Sequence, residues 1–152
     1  MAKTMTFYNV EGLNRALRSL PKAASTKLRD ASQVIAGKVA GDASSAARST
    51  GGAAGLVAGS IRASRDRVPV VRMGSSARLP GDRKGARQTV GDLIWGAEFG
   101  GGARPTTRQF RPWRGSGTGA GYFLFPTVRG DRDFIEQQYG DAILAAIDEA
   151  AT

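Results

Sequence analysis

The stretch KAASTKLRDASQVIAGKVAGDASSAAR, residues 22–48, decides the fold. Ala24, Leu28, Ala31, Ile35 and Val39 recur at three- and four-residue intervals while Lys27, Arg29, Asp30 and Lys38 fall elsewhere, which is the pattern of a helix with one apolar face. At about 1.5 Å per residue this helix is roughly 40 Å long, the long helix of the fold. Gly37 and Gly41 weaken its second half, which frays unless a neighbour holds it.

On the N-terminal side, Leu13, Leu17 and Leu20 predict a shorter amphipathic helix over Val10–Leu20, and Pro21 bends or restarts the chain. On the C-terminal side, STGGAAG at residues 49–55 breaks the helix. Leu56–Ser64 and Val68–Gly74 then alternate around Asp66 and Arg67, as an antiparallel hairpin does. Pro69 lacks a donor, so its strand lies at an edge or begins there. Residues 75–91 are expected to form a long exposed loop, Leu93–Phe99 a strand, residues 100–121 a second long loop, and Tyr122–Phe125 a short strand closed by Pro126.

The final helix is predicted to start on a capping box of Asp133 and Glu136. Its apolar face is Ile135, Tyr139, Ile143 and Ile147, opposite Glu136, Gln137, Asp141 and Asp148. The expected class is α+β: a long N-terminal helix and a C-terminal helix packed on a small antiparallel sheet, with long glycine- and arginine-rich loops. Residues 1–152 are expected to form a single domain.

Composition narrows the chemistry. The chain has no cysteine and no histidine, which removes disulfides, thiolate zinc sites, cysteine nucleophiles and the commonest general base. With 21 glycines and 7% aromatic residues its core is small, so a partner is expected to complete it. MAKTMTFYNVEG lacks a secretory apolar core and no run is long enough to cross a membrane, so the chain is expected to be soluble and cytosolic, with no membrane partner. Net charge is +9, unevenly placed: residues 62–114 carry twelve Lys and Arg against four Asp and Glu, residues 115–152 two against six. A basic middle suits nucleic acid or an acidic protein surface.

Between Leu93 and Val128 lie both tryptophans and four of the six phenylalanines, with Glu98 as the one acidic side chain. Aromatic anchors and arginines on glycine-rich backbone mark surfaces that bind macromolecules. The candidate interface comprises Trp95, Glu98, Phe99, Arg104, Arg108, Phe110, Arg111, Trp113, Tyr122, Phe123 and Phe125. Glu98 is expected to meet an arginine, in its own subunit or the next. Arg104, Arg108, Arg111 and Arg114, interleaved with Phe110 and Trp113, would serve either a protein interface or single-stranded nucleic acid. GSGTGAG at residues 115–121 matches no phosphate-binding template and is expected to be a flexible linker. Asp131, Asp133 and Glu136 are expected to cap a helix and not to bind a metal. No catalytic residue, cofactor or metal site is expected.

Taken in order, these features resemble the neck or tail-completion family of long-tailed bacteriophages. The resemblance rests on the VEGL start at Val10–Leu13 and on the segment Thr50–Ile61 with Gly55, Leu56, Ser60 and Ile61. It continues through the aromatic EFG turn at Trp95–Gly100 and the aromatic-proline element Tyr122–Pro126, before the last helix at Phe134–Ala150. It implies an α+β protomer assembled in the bacterial host cytoplasm into the virion, as a ring of six between capsid portal and tail tube. Its partners would be further copies and the neighbouring connector, terminator or tail-tube proteins, with DNA passing the lumen without sequence readout. A basic middle and an acidic C-terminal third suit a head-to-tail contact between copies.

Overall fold

In a computed structural model the chain is described over residues 10–79, 88–101 and 109–151. Helices α1 (Val10–Arg18) and α2 (Lys22–Thr50) are followed by α3 (Gly52–Ala58), strands β1 (Arg62–Ser64) and β2 (Val70–Arg72) and a 3₁₀ turn (Val90–Leu93). Helices α4 (Ile94–Phe99), α5 (Leu124–Gly130) and α6 (Arg132–Ala150) complete the chain. The architecture is mixed helix and sheet, and α2 is its spine: α3, α5, α6 and both strands pack on it.

Two apolar clusters share that spine. The first half of α2 buries Ala24 and Leu28 with Leu17 of α1 and Ile143 and Ala146 of α6. The second half buries Ala40, Ala43 and Ala47 with Val57, Ile61, Leu93, Ala97 and Phe123. Small side chains let neighbouring backbone approach closely, so the second half, weakened by glycine, is held by packing. The Leu13 side chain lies outside the described residues, whereas Leu17 is buried as its spacing requires.

The hairpin is antiparallel with Arg62 opposite Arg72, Ala63 opposite Val71 and Ser64 opposite Val70. It is shorter than its alternation suggests, because Gly52–Ala58 coils into α3 and withdraws Leu56 from the strand. Pro69 immediately precedes β2, where its missing donor costs nothing. The connecting turn is bolted down: the Arg67 carbonyl accepts from Ser32 Oγ and from Tyr139 Oη, each at 3.0 Å. Ser32 is fully buried, and this bond satisfies its hydroxyl.

α6 packs chiefly on α2, with Lys38–Asp131 at one end and Lys27–Glu149 at the other. Its expected capping box is absent: the helix starts at Arg132, Asp131 Oδ1 accepts from Lys38 at 3.0 Å, and Glu136 accepts from Arg132 at 2.6 Å. The expected apolar face also shifts. A strict four-residue repeat advances by about 40° per step on a helix, so the series drifts off the core. Ile143 is buried but Ile147 is 51% exposed, and Ala146 takes the inward position.

Two expected strands are helical. Thr89 and Asp92 form a capping box that nucleates the 3₁₀ turn and then α4, and Val90, Leu93 and Ala97 face the core at helical spacing. Hydrogen bonds from the Thr89 N–H and hydroxyl hold the Asp92 carboxyl below its ordinary range. Tyr122–Phe125 is not a strand either: Phe123 precedes the first turn of α5, and Pro126 sits within that turn, where no N–H is needed. Of the loop at 75–91, residues 80–87 lie outside the described residues. Its base is closed by backbone bonds from Val90 N–H to the Ala77 carbonyl and from Gly91 N–H to the Ser75 carbonyl, both 2.9 Å.

Ala43→Leu, which forces a larger side chain into a site with no exposure, is expected to cost about 1–3 kcal/mol. Thermal unfolding followed by circular dichroism checks it, and an unchanged midpoint would show that the α2–α3 contact is not close. Burial, with a smaller contribution from nearby Asp66, pushes the Tyr139 phenol from 10.0 up to about 12. The folded state thus keeps the proton that the unfolded chain releases, so the stability is fully present below pH 10 and is lost as pH rises through about 12. Urea midpoints should fall more steeply across that window for wild type than for Tyr139→Phe; parallel slopes would contradict it.

Candidate interaction surface

The loops after α4 fold back on its C-terminal end. Gly101 N–H donates to the Arg111 carbonyl at 2.9 Å and Arg114 N–H to the Phe99 carbonyl at 2.6 Å. Gly100 allows this approach: its φ is +81°, and a Cβ there would meet the Pro112 carbonyl. The GSGTGAG run is a held turn and not a linker. Ala120 N–H reaches the Gly117 carbonyl at 3.2 Å, Gly121 N–H the Arg114 carbonyl at 2.8 Å, and Arg129 the Ala120 carbonyl at 2.7 Å.

Glu98 is the keystone of this region. It is 1% exposed and, among the described residues, meets no arginine. Its Oε2 accepts the Leu124 N–H and its Oε1 the Phe125 N–H, both at 2.9 Å, so a carboxylate from α4 caps the N-terminus of α5. The cap satisfies orphan amides and places negative charge at the positive end of the helix. Its backbone carbonyl takes a third bond, from Tyr122 N–H at 2.9 Å. Gly121 makes room: its φ is +88°, and a Cβ there would run into Glu98 Oε1. The glycine run therefore does lead into a helix, but the carboxylate already occupies the place an anion would take.

Around this cap the aromatic side chains sort into three groups. Phe123 is fully buried and so does not lie at the surface where it was expected, whereas Phe110 is half-buried and packs over Gly96 against the core. Tyr122 donates to the Pro112 carbonyl at 2.8 Å, with the Arg111 and Arg114 guanidiniums 5.8 Å and 5.4 Å from its ring centroid. Arg111 also bonds the Thr50 carbonyl at 2.5 Å and Arg114 the Gly119 carbonyl at 3.1 Å, so both arginines brace the fold. Arg104 and Arg108 lie outside the described residues.

The third group forms a platform. Phe99 is half-buried at its centre, with ring centroids 5.5 Å from Trp95, 6.3 Å from Trp113 and 5.2 Å from Phe125. Trp95 is 75% exposed, Trp113 62% and Phe125 47%, values far above those of core aromatics. Three separate segments, α4, the 109–121 loop and α5, thus converge four rings into one exposed apolar surface. Val128, on the same side of α5 as Phe125, is 41% exposed and extends it; its single β-branched side chain gave no sequence signal.

A shallow cleft of ≈ 240 Å³ is lined mainly by Thr50–Ala54, Gly96, Ala97 and Phe110, with Arg111 the one ionisable group among the described residues that line it. Among the described residues no helix is long and apolar enough to cross a membrane. Compared with models of known protein families, with characterised proteins and with solved structures, the chain has no significant match.

Glu98→Ala is expected to leave the Leu124 and Phe125 amides without an acceptor, costing about 1–3 kcal/mol. Hydrogen exchange at those two amides should accelerate, and more than at amides of α2. Unchanged protection would mean that the cap does not hold α5.

Proposed function

We propose that this chain is a structural subunit of a phage neck, a ring of six copies joining the capsid portal to the tail tube, and that it works by binding and not by catalysis. The observation that carries the proposal is the platform of Trp95, Phe99, Trp113 and Phe125, held open to solvent by an ordered framework. Rigid aromatic anchors supply large contact area at small entropic cost and dominate protein–protein hot spots. The order of sequence motifs, from the VEGL start to the aromatic-proline element before the last helix, agrees with the same reading. In this reading the subunit sits among portal, connector, terminator or tail-tube neighbours, and DNA crosses the lumen with non-specific contact only.

Single-stranded nucleic acid is the second occupant that exposed rings and a net charge of +9 would suit.

Purified virion-like particles should carry the wild-type chain. With Trp95→Ala/Trp113→Ala they should accumulate as separate heads and tails in negative-stain images. Joined particles that lack the chain, or joining at wild-type frequency with the double variant, would refute the proposal. Fluorescence anisotropy with a single-stranded oligonucleotide separates the second occupant: affinity that falls steeply with salt and depends on Trp113 would favour nucleic acid.

A further inference from the structure

A second apolar surface faces solvent on α6. That helix buries Ile143 and Ala146, while Leu144 and Ile147 are 43% and 51% exposed on its outward side. Leu144 and Ile147 lie three residues apart, and Ala151, just past the helix end, follows Ile147 by four, so the three side chains form one ridge. Asp141 and Asp148 run along its flank, and α6 as a whole carries five carboxylates against one arginine.

The aromatic platform has the opposite character. Between Gln88 and Gly130 the sequence carries five arginines against two acids, one of which, Glu98, is buried. Arg111, Arg114 and Arg129 are exposed in this region. Each bonds a backbone carbonyl through one guanidinium nitrogen, which leaves further N–H donors for carboxylates. An exposed aromatic surface with basic surroundings fits an apolar helical ridge with acidic flanks.

We propose that the outward face of α6 of one copy of this chain seats on the aromatic platform of a second copy. This rests on the platform being an assembly surface and names what covers it. Because donor and acceptor surfaces differ, each molecule offers both at once, and the contact is heterologous: repeated, it closes into a ring or continues as a filament according to its rotation. One kind of contact would then cover both apolar surfaces.

Two double variants test it by sedimentation velocity, with circular dichroism as the control for folding. Trp95→Ala/Trp113→Ala removes the platform, and Leu144→Glu/Ile147→Glu removes the ridge; all four side chains are exposed, so the fold is retained. Wild type is expected to sediment as oligomers and each variant alone as a monomer. An equimolar mixture of the variants is expected to form a 1:1 dimer and nothing larger, since one intact platform and one intact ridge can meet only once. A ridge variant that assembles like wild type, a mixture that stays monomeric, or a wild-type chain that stays monomeric overturns the proposal. Incorporation into particles is read separately, so the neck assignment and the self-docking can fail independently.

Discussion

A buried carboxylate bonded to two backbone amides sets the geometry of the aromatic surface. Glu98 sits at 1% exposure at the end of α4 and receives the first amides of α5, so two helices of six and seven residues are locked to each other. Neither is long enough to be stable alone. Locked together, they fix Trp95 and Phe99 relative to Phe125, and the bond from Arg114 N–H to the Phe99 carbonyl brings Trp113 alongside. Charge and burial are reconciled because the partners are fixed N–H dipoles at a helix terminus, which compensate a carboxylate.

The same region shows why arginine suits this chain better than lysine. Arg111 and Arg114 flank one tyrosine ring while reaching carbonyls on either side, a role that needs a planar cation with several directed donors. Glycine has the complementary role at Gly100 and Gly121, where positive φ and the approach of a carbonyl or carboxylate leave no space for a side chain. Irregular backbone becomes a defined scaffold when its polar groups are spoken for in this way.

The long elements were legible in the residues themselves. The α2 face, the break at Pro21 and the existence of α6 follow from periodicity sustained over many residues. Leu93–Phe99 and Tyr122–Phe125 were misread because four to seven residues do not distinguish an alternating strand from a turn and a half of helix. The deciding contacts lay elsewhere: a capping box at Thr89 for one, and a carboxylate 26 residues away for the other. Aromatic crowding between residues 93 and 128 marks the segment in which Trp95, Phe99, Trp113 and Phe125 gather. It could not say that Phe123 turns inward while Phe125 turns outward, since that depends on where α5 begins. The outward ridge of α6 was hidden by the same limit, because a four-residue repeat looks like a core face until its angular drift is followed along the helix.

Stringing two separate apolar clusters along one 29-residue helix has a mechanical consequence. Each end of the molecule owns its own packing, and the helical backbone is the main element that spans both. Partial opening at the α1 end, where Leu17 is the buried anchor of a nine-residue helix, is expected to leave the far cluster closed. Slow hydrogen exchange should thus fall into two tiers along α2. The surface that presents the tryptophans is insulated from opening of α1, as a clamp jaw is from play in its handle.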